Sequence, residues 1–281
     1  MKQLNAAQKK LLIPLFVTLI FGLFGGVLRY LHLTRAFDAL GLAIRNNPYG
    51  LLLTVLSLAA IVALIAAIAA IRMKKASFLS AAAIGNAPKA TLFPAALGTV
   101  IAMLAAIKTL ADAVGTFSVW EMLSGLLFLV SAVLTLPVIR KLPTATNEDS
   151  PIASASLLLV FWASFRLIEI YRNVSGNPAI GTYLCDVMAM ISLILMFFAC
   201  SGYFHRRVTA RRVYLMTTAY FFFGTTALLG KGLVCAKAVL SGTPLVWANI
   251  LDACVYCYGF ACAISLICTF FFSEKSDEEQ E

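Results

Sequence analysis

The chain has 281 residues, of which 61% are hydrophobic and 12% charged, with a mean hydropathy of +0.91. Soluble domains carry about 25% charged residues, so a chain with half that share is excluded from the ordinary soluble class and reads as a polytopic membrane protein. The formal charge of +9 is better matched to an anionic lipid surface than to nucleic acid, because the basic residues cluster in short loops beside long apolar runs.

A helix needs about 20 apolar residues to cross ~30 Å of hydrocarbon. Eight runs meet that length, near 11–33, 49–71, 92–114, 119–139, 152–173, 180–204, 213–236 and 246–272. A barrel would show short alternating strands instead, so the expected fold is all-α, an eight-span transmembrane bundle. The first run follows a basic segment, MKQLNAAQKK. It is too long for a signal peptide and no A-x-A-like site follows, so it is expected to be a retained span. Gly22 and Gly26 within it form a GxxxG, and the second run contains AAIVALIAAIAA. Small residues of this kind let helices approach closely in lipid.

Charged loops set the expected orientation. Lys2, Lys9, Lys10, Arg72, Lys74, Lys75, Lys89, Arg140, Lys141, Arg206, Arg207, Arg211, Arg212 and Lys275 fall on one side, 14 of the 22 basic residues. By the positive-inside rule that side is cytoplasmic, and so are both termini of a protein placed in the cell membrane. Residues 1–272 are expected to form one bundle, and the acidic end 273–281 a solvated cytoplasmic tail. The longest connection, Arg72 to Ala90, is too short to fold independently, since domains below ~40 residues rarely do. Energy coupling or signalling would therefore need a partner chain. Successive spans also read as four parallel helical hairpins, a repeat unlike the inverted symmetry of many secondary transporters.

The fifth run contains FWASFRLIEIYRN, with Arg166, Glu169 and Arg172 inside or beside the apolar stretch. Counting 1.5 Å per residue from Ile152 places Arg166 ~21 Å across, ~9 Å below the outer surface. Lys108, Asp186 and Asp252 come out at a similar depth, counted along their own helices. Glu169, Asp112 and Glu121 lie above this level, and the inner half of each span carries no charge. Charge at such depth costs a few kcal/mol and should face the protein interior in pairs.

Arg166, Glu169, Arg172, Lys108, Asp186 and Asp252 thus form the expected ligand-binding set. In it Arg166 anchors an anion, Glu169 and Arg172 orient it, and the other three complete a pocket. An interhelical clamp is the competing reading, with Arg166–Asp186 and Lys108–Asp252 as example pairs. Lys108 and Asp112, four residues apart, are also able to satisfy each other. Snorkelling to the outer interface is also able to satisfy Arg29 and Arg172 unaided. The layer counts more acids than cations, which makes a cationic solute a rival to an anion.

The remaining motifs carry little chemistry. CVYC at 254–257 has CxxC spacing, but it lies within an apolar run without histidine nearby, and cysteine packs as a small apolar residue. His32 and His205 fall at opposite faces of the membrane. Asn173–Ser175 matches a glycosylation sequon but hugs the membrane. No nucleophile with an adjacent base, metal cluster or cofactor fingerprint is found, so neither an enzyme nor a cofactor is expected. The expected function is permease-like binding or transport of a small polar or charged solute. The alternative is a non-transporting sensor or accessory subunit that binds a membrane-protein partner. In either case the lipid bilayer is the surrounding partner.

Overall fold

The computed structural model describes residues 6–37, 44, 47–70, 92–142, 150–174, 184–205 and 207–273. These form eight helices: α1 (Ala6–Arg35), α2 (Pro48–Ala70), α3 (Phe93–Thr116), α4 (Val119–Lys141), α5 (Ser150–Val174), α6 (Leu184–Phe204), α7 (Ala210–Leu240) and α8 (Trp247–Ser273). Each contains a stretch long and apolar enough to span a membrane, so the chain is a polytopic helical bundle. The helices match the eight apolar runs. α1 and α7 extend beyond theirs, to Ala6 and Leu240 respectively, because backbone hydrogen bonding continues into polar sequence once a span has nucleated the helix. The acidic tail from 274, the 71–91 connection, Arg45 and the sequon's Ser175 lie outside the described residues.

Local chemistry explains the tightest turn. At Phe117 the backbone is left-handed (φ 51°), and Ser118 N–H donates to Ala113 O at 3.1 Å, closing the end of α3. Ser118 then caps α4 by accepting from Glu121 N–H at 3.4 Å, a Ser-x-x-Glu start. A left-handed non-glycine residue costs on the order of 1–3 kcal/mol. The two caps offset that cost by satisfying a carbonyl that the end of α3, and an N–H that the start of α4, would otherwise leave open. The resulting α3–α4 hairpin packs along its length, as does α1 against α2.

Packing divides the chain into two compact units. The first comprises residues 1–72, 167–192 and 218–256, and the second 73–166, 193–217 and 257–281. In the second unit, Gly98 of α3 lies against α8, where a Cβ would come within 2.6 Å of Ala261 Cβ. Ser265 Oγ accepts from Ala95 N–H at 2.8 Å, satisfying an amide in the first turn of α3. Phe128 stacks on Trp162 with centroids 4.6 Å apart, and both meet the Tyr258 ring edge-on. The Tyr258 hydroxyl is hydrogen-bonded to Thr135. Such a core gives its polar groups partners within the unit, which lipid could not provide.

The first unit is organised by close approach of α1 and α7. Gly22 and Gly26 face α7 as the GxxxG spacing anticipates, and a Cβ on Gly26 would fall 2.5 Å from Leu229 Cβ. Thr226 Oγ1 reaches Gly22 O at 3.4 Å while bonding Phe222 O at 2.9 Å. Van der Waals packing and close backbone approach supply the association that the hydrophobic effect cannot supply between helices in lipid.

Candidate functional site

The glycine face of α1 leads directly to a buried charge cluster in the first unit. Arg29 lies seven residues after Gly22 and three after Gly26, so all three share one helix face. Its stem crosses Gly230 of α7, where a Cβ would come within 2.3 Å of Arg29 Cγ. The guanidinium thereby reaches α6, and Arg29 Nη2 donates to Asp186 Oδ2 at 2.9 Å. Lys231, the residue after Gly230, has its Nζ 3.0 Å from Asp252 Oδ2 on α8 and 3.7 Å from Asp186 Oδ2. It also donates to Asn249 Oδ1 at 3.2 Å.

Four helices thus contribute two cations and two carboxylates, and the cluster is charge-balanced. Arg29 is 0% exposed, and the side chains of Asp186, Lys231 and Asp252 are 2%, 8% and 14% exposed. At this burial each charge depends on its partners, since desolvation in a span costs a few kcal/mol per ion. Asp186 gains further from its place in the first turn of α6, where the helix dipole favours an anion. Hydrogen bonding is not saturated, however. Arg29 Nε and Asp186 Oδ1 are buried with no hydrogen-bond partner among the described residues.

Beside the cluster lies a cavity of about 100 Å³, walled by α1, α2, α6 and α7. His32 of α1 forms its polar end, and Cys185, adjacent to Asp186, lines it from α6. Leu53, Leu58 and Ile61 of α2, Met188 of α6 and Phe223 of α7 make an apolar wall. His32 Nδ1 stands 3.5 Å from Arg29 Nη1, linking the cavity to the charges.

The expected site residues divide between the two units. Asp186 and Asp252 meet around Lys231 in the first. Glu169 is buried in that unit, and Arg172 is exposed there. Arg166 and Lys108 belong to the second. Arg166 is 7% exposed, so this charge in the C-terminal half of the fifth run does turn inward. Lys108 pairs with Asp112 one turn on, with the two side chains 52% and 41% exposed. Lys108 thus stands on the exposed side of its helix. The packed face of α3 is a stripe of small residues, including Ala102, Ala105, Ala106 and Ala113, whereas Lys108 follows the exposed Leu97, Val100 and Leu104.

Two of the four clustered charges, Arg29 and Lys231, lie outside the expected ligand-binding set. Arg29 does not snorkel. Rotation about the helix, set by the glycines, turns it inward and gives Asp186 its partner in place of Arg166. Among the described residues no group of three or more His, Cys, Asp or Glu side chains is placed to hold a metal ion.

The fold and its buried charges define an integral, multi-pass membrane protein. No protein-family model matches the chain, and neither does any curated protein or solved structure.

Proposed function

We propose that the protein is a permease-like membrane protein that binds a small polar or charged solute in the first unit, between the charge cluster and its neighbouring cavity. One observation carries this reading: a cavity opens beside three buried charges and a fourth that is partly buried, and is joined to them through His32 and Arg29. Ionisable residues within spans are expensive, and where they border a cavity they mark a solute path by default. The hydrogen-bond capacity left on Arg29 Nε and Asp186 Oδ1 adds to this, because a cluster built only to lock helices gains from complete pairing. The distribution of basic loops supports an orientation with both termini in the cytoplasm and the cluster end of the spans facing outward.

The mutual pairing of Arg29, Lys231, Asp186 and Asp252 favours a second reading. In it the protein is a sensor or accessory subunit whose cluster clamps α1, α6, α7 and α8. Asp252→Asn separates the two, since Asp252 is the most accessible of the four charges. A solute site loses ligand-induced thermal stabilisation and proteoliposome uptake while the purified protein stays folded. A clamp loses thermal stability, and no solute in the panel changes the melting temperature of the parent. Orientation is tested separately by cysteine labelling at 145 and 177 in intact cells: labelling of 145 from outside would overturn it.

A further inference from the structure

His32 gives the cavity a chemical direction. Its ring is buried, 6% exposed, and its Nδ1 lies 3.5 Å from Arg29 Nη1. A guanidinium donates and never accepts, so Nδ1 takes the acceptor role and the ring hydrogen resides on Nε2. That second nitrogen faces the start of α2, where a Cβ on Gly50 would stand 3.5 Å from it. Glycine leaves this corner open, and no described residue accepts from Nε2. The cavity wall therefore carries a donor, on a buried side chain, with no acceptor among the described residues.

The other polar groups on the wall are already engaged. Thr54 Oγ1 donates to Gly50 O at 3.0 Å, and Ser57 Oγ donates to Leu53 O at 2.8 Å. Their hydrogens are used within α2. What remains around the space is apolar, chiefly Leu53, Met188 and Phe223. A ligand that fits must bring an acceptor to His32 and an apolar body to the rest. Arg29, directly behind the imidazole, polarises Nε2–H and favours an acceptor that carries negative charge. Size narrows the class further. A dry cavity of roughly 150 Å³ holds benzene, so the about 100 Å³ here suits a body on the order of four to six heavy atoms.

We propose that this cavity binds a short-chain monocarboxylate, with its carboxylate accepting from His32 Nε2–H and its alkyl chain lying along α2. The proposal rests on reading this compartment as a solute site and names the class of solute. The same chemistry reaches the protein from two sources, a water-soluble short acid or a fatty acid from the bilayer, and the butyrate and decanoate arms of the test below distinguish them.

The test uses the full-length protein in nanodiscs, with butyrate, butylammonium and decanoate as probes and thermal shift plus equilibrium binding as readouts. Butyrate at about ten times its Kd should raise the melting temperature by a few degrees. His32→Leu should weaken butyrate at least about tenfold, the loss expected for a charge-assisted hydrogen bond. His32→Gln, which keeps an N–H donor, should retain most of the binding, and Gly50→Leu, which fills the corner, should abolish it. Tighter binding of decanoate would overturn the assignment to short acids. If butylammonium binds instead and Gly50→Leu abolishes that binding, the carboxylate class is wrong while the solute site stands. If neither these probes nor a broad panel of polar solutes shifts the parent, the solute site falls as well.

Discussion

Replacing Arg29 with Met tests the energetics of the charge cluster. The Met side chain keeps the stem that crosses Gly230 and removes only the guanidinium. Asp186 then loses its 2.9 Å bond and retains Lys231 at 3.7 Å, while its Oδ1 already lacks a hydrogen bond. Breaking a buried pair from one side costs ~3–5 kcal/mol, most of it the penalty of the charge left behind. Lys231 still screens Asp186, which places the expected loss near the lower end, about 3 kcal/mol. At ~2–4 °C per kcal/mol, thermal unfolding in detergent should shift down by roughly 6–12 °C. The double variant Arg29→Met/Asp186→Leu removes both charges, and Lys231 keeps Asp252 and Asn249. Replacing both partners with apolar groups is often close to neutral, so the double variant should recover to within about 1–2 kcal/mol of the parent. A single variant as stable as the parent, or a double variant worse than the single, would refute the reasoning.

Other substitutions probe how the cluster and its surroundings are built. Gly230→Ala adds a methyl that would sit 2.3 Å from Arg29 Cγ. It should lower thermal stability about as much as Arg29→Met, whereas Gly232→Ala, with nothing within 4 Å of its Cβ, should have little effect. Lys108→Ala removes an exposed i,i+4 pair and should cost no more than ~1 kcal/mol by the same thermal assay. Arg166→Ala should reduce folded yield far more than Arg172→Ala, because Arg166 is buried and Arg172 exposed on the same helix. Equal yields would remove the reason for treating Arg166 as an interior charge.

The spans were legible because length and hydropathy alone decide whether a helix can cross a bilayer, and eight runs satisfied both. Facing was read less well. Hydropathy does not distinguish a lipid-facing Leu from a core Leu, so rotation about each helix has to come from residue size. Gly22, Gly26 and Arg29 share a face, and that spacing marked Arg29 as inward even though its depth alone suggested snorkelling. On α3 the alanine stripe marked the packed side and left Lys108 on the other. Asp186 and Asp252 find their partners on other helices. A single chain gives no signal for such pairs beyond the need of each charge for an opposite one. His32 gave no signal in the sequence, because its role depends on an Arg29 orientation that the helix packing creates.

Solute binding by the first unit is measured most directly by comparing the parent with Gly50→Leu in nanodiscs, using equilibrium binding across a panel of small polar solutes that includes butyrate. Gly50 lies at the cavity's open corner and touches none of the four charges, so Leu there blocks the space while leaving the cluster in place. The account predicts saturable binding to the parent, absent in Gly50→Leu, with the unliganded melting temperature of the two proteins within a few degrees. A parent that binds no solute in the panel, or binding that persists with the cavity filled, would contradict it.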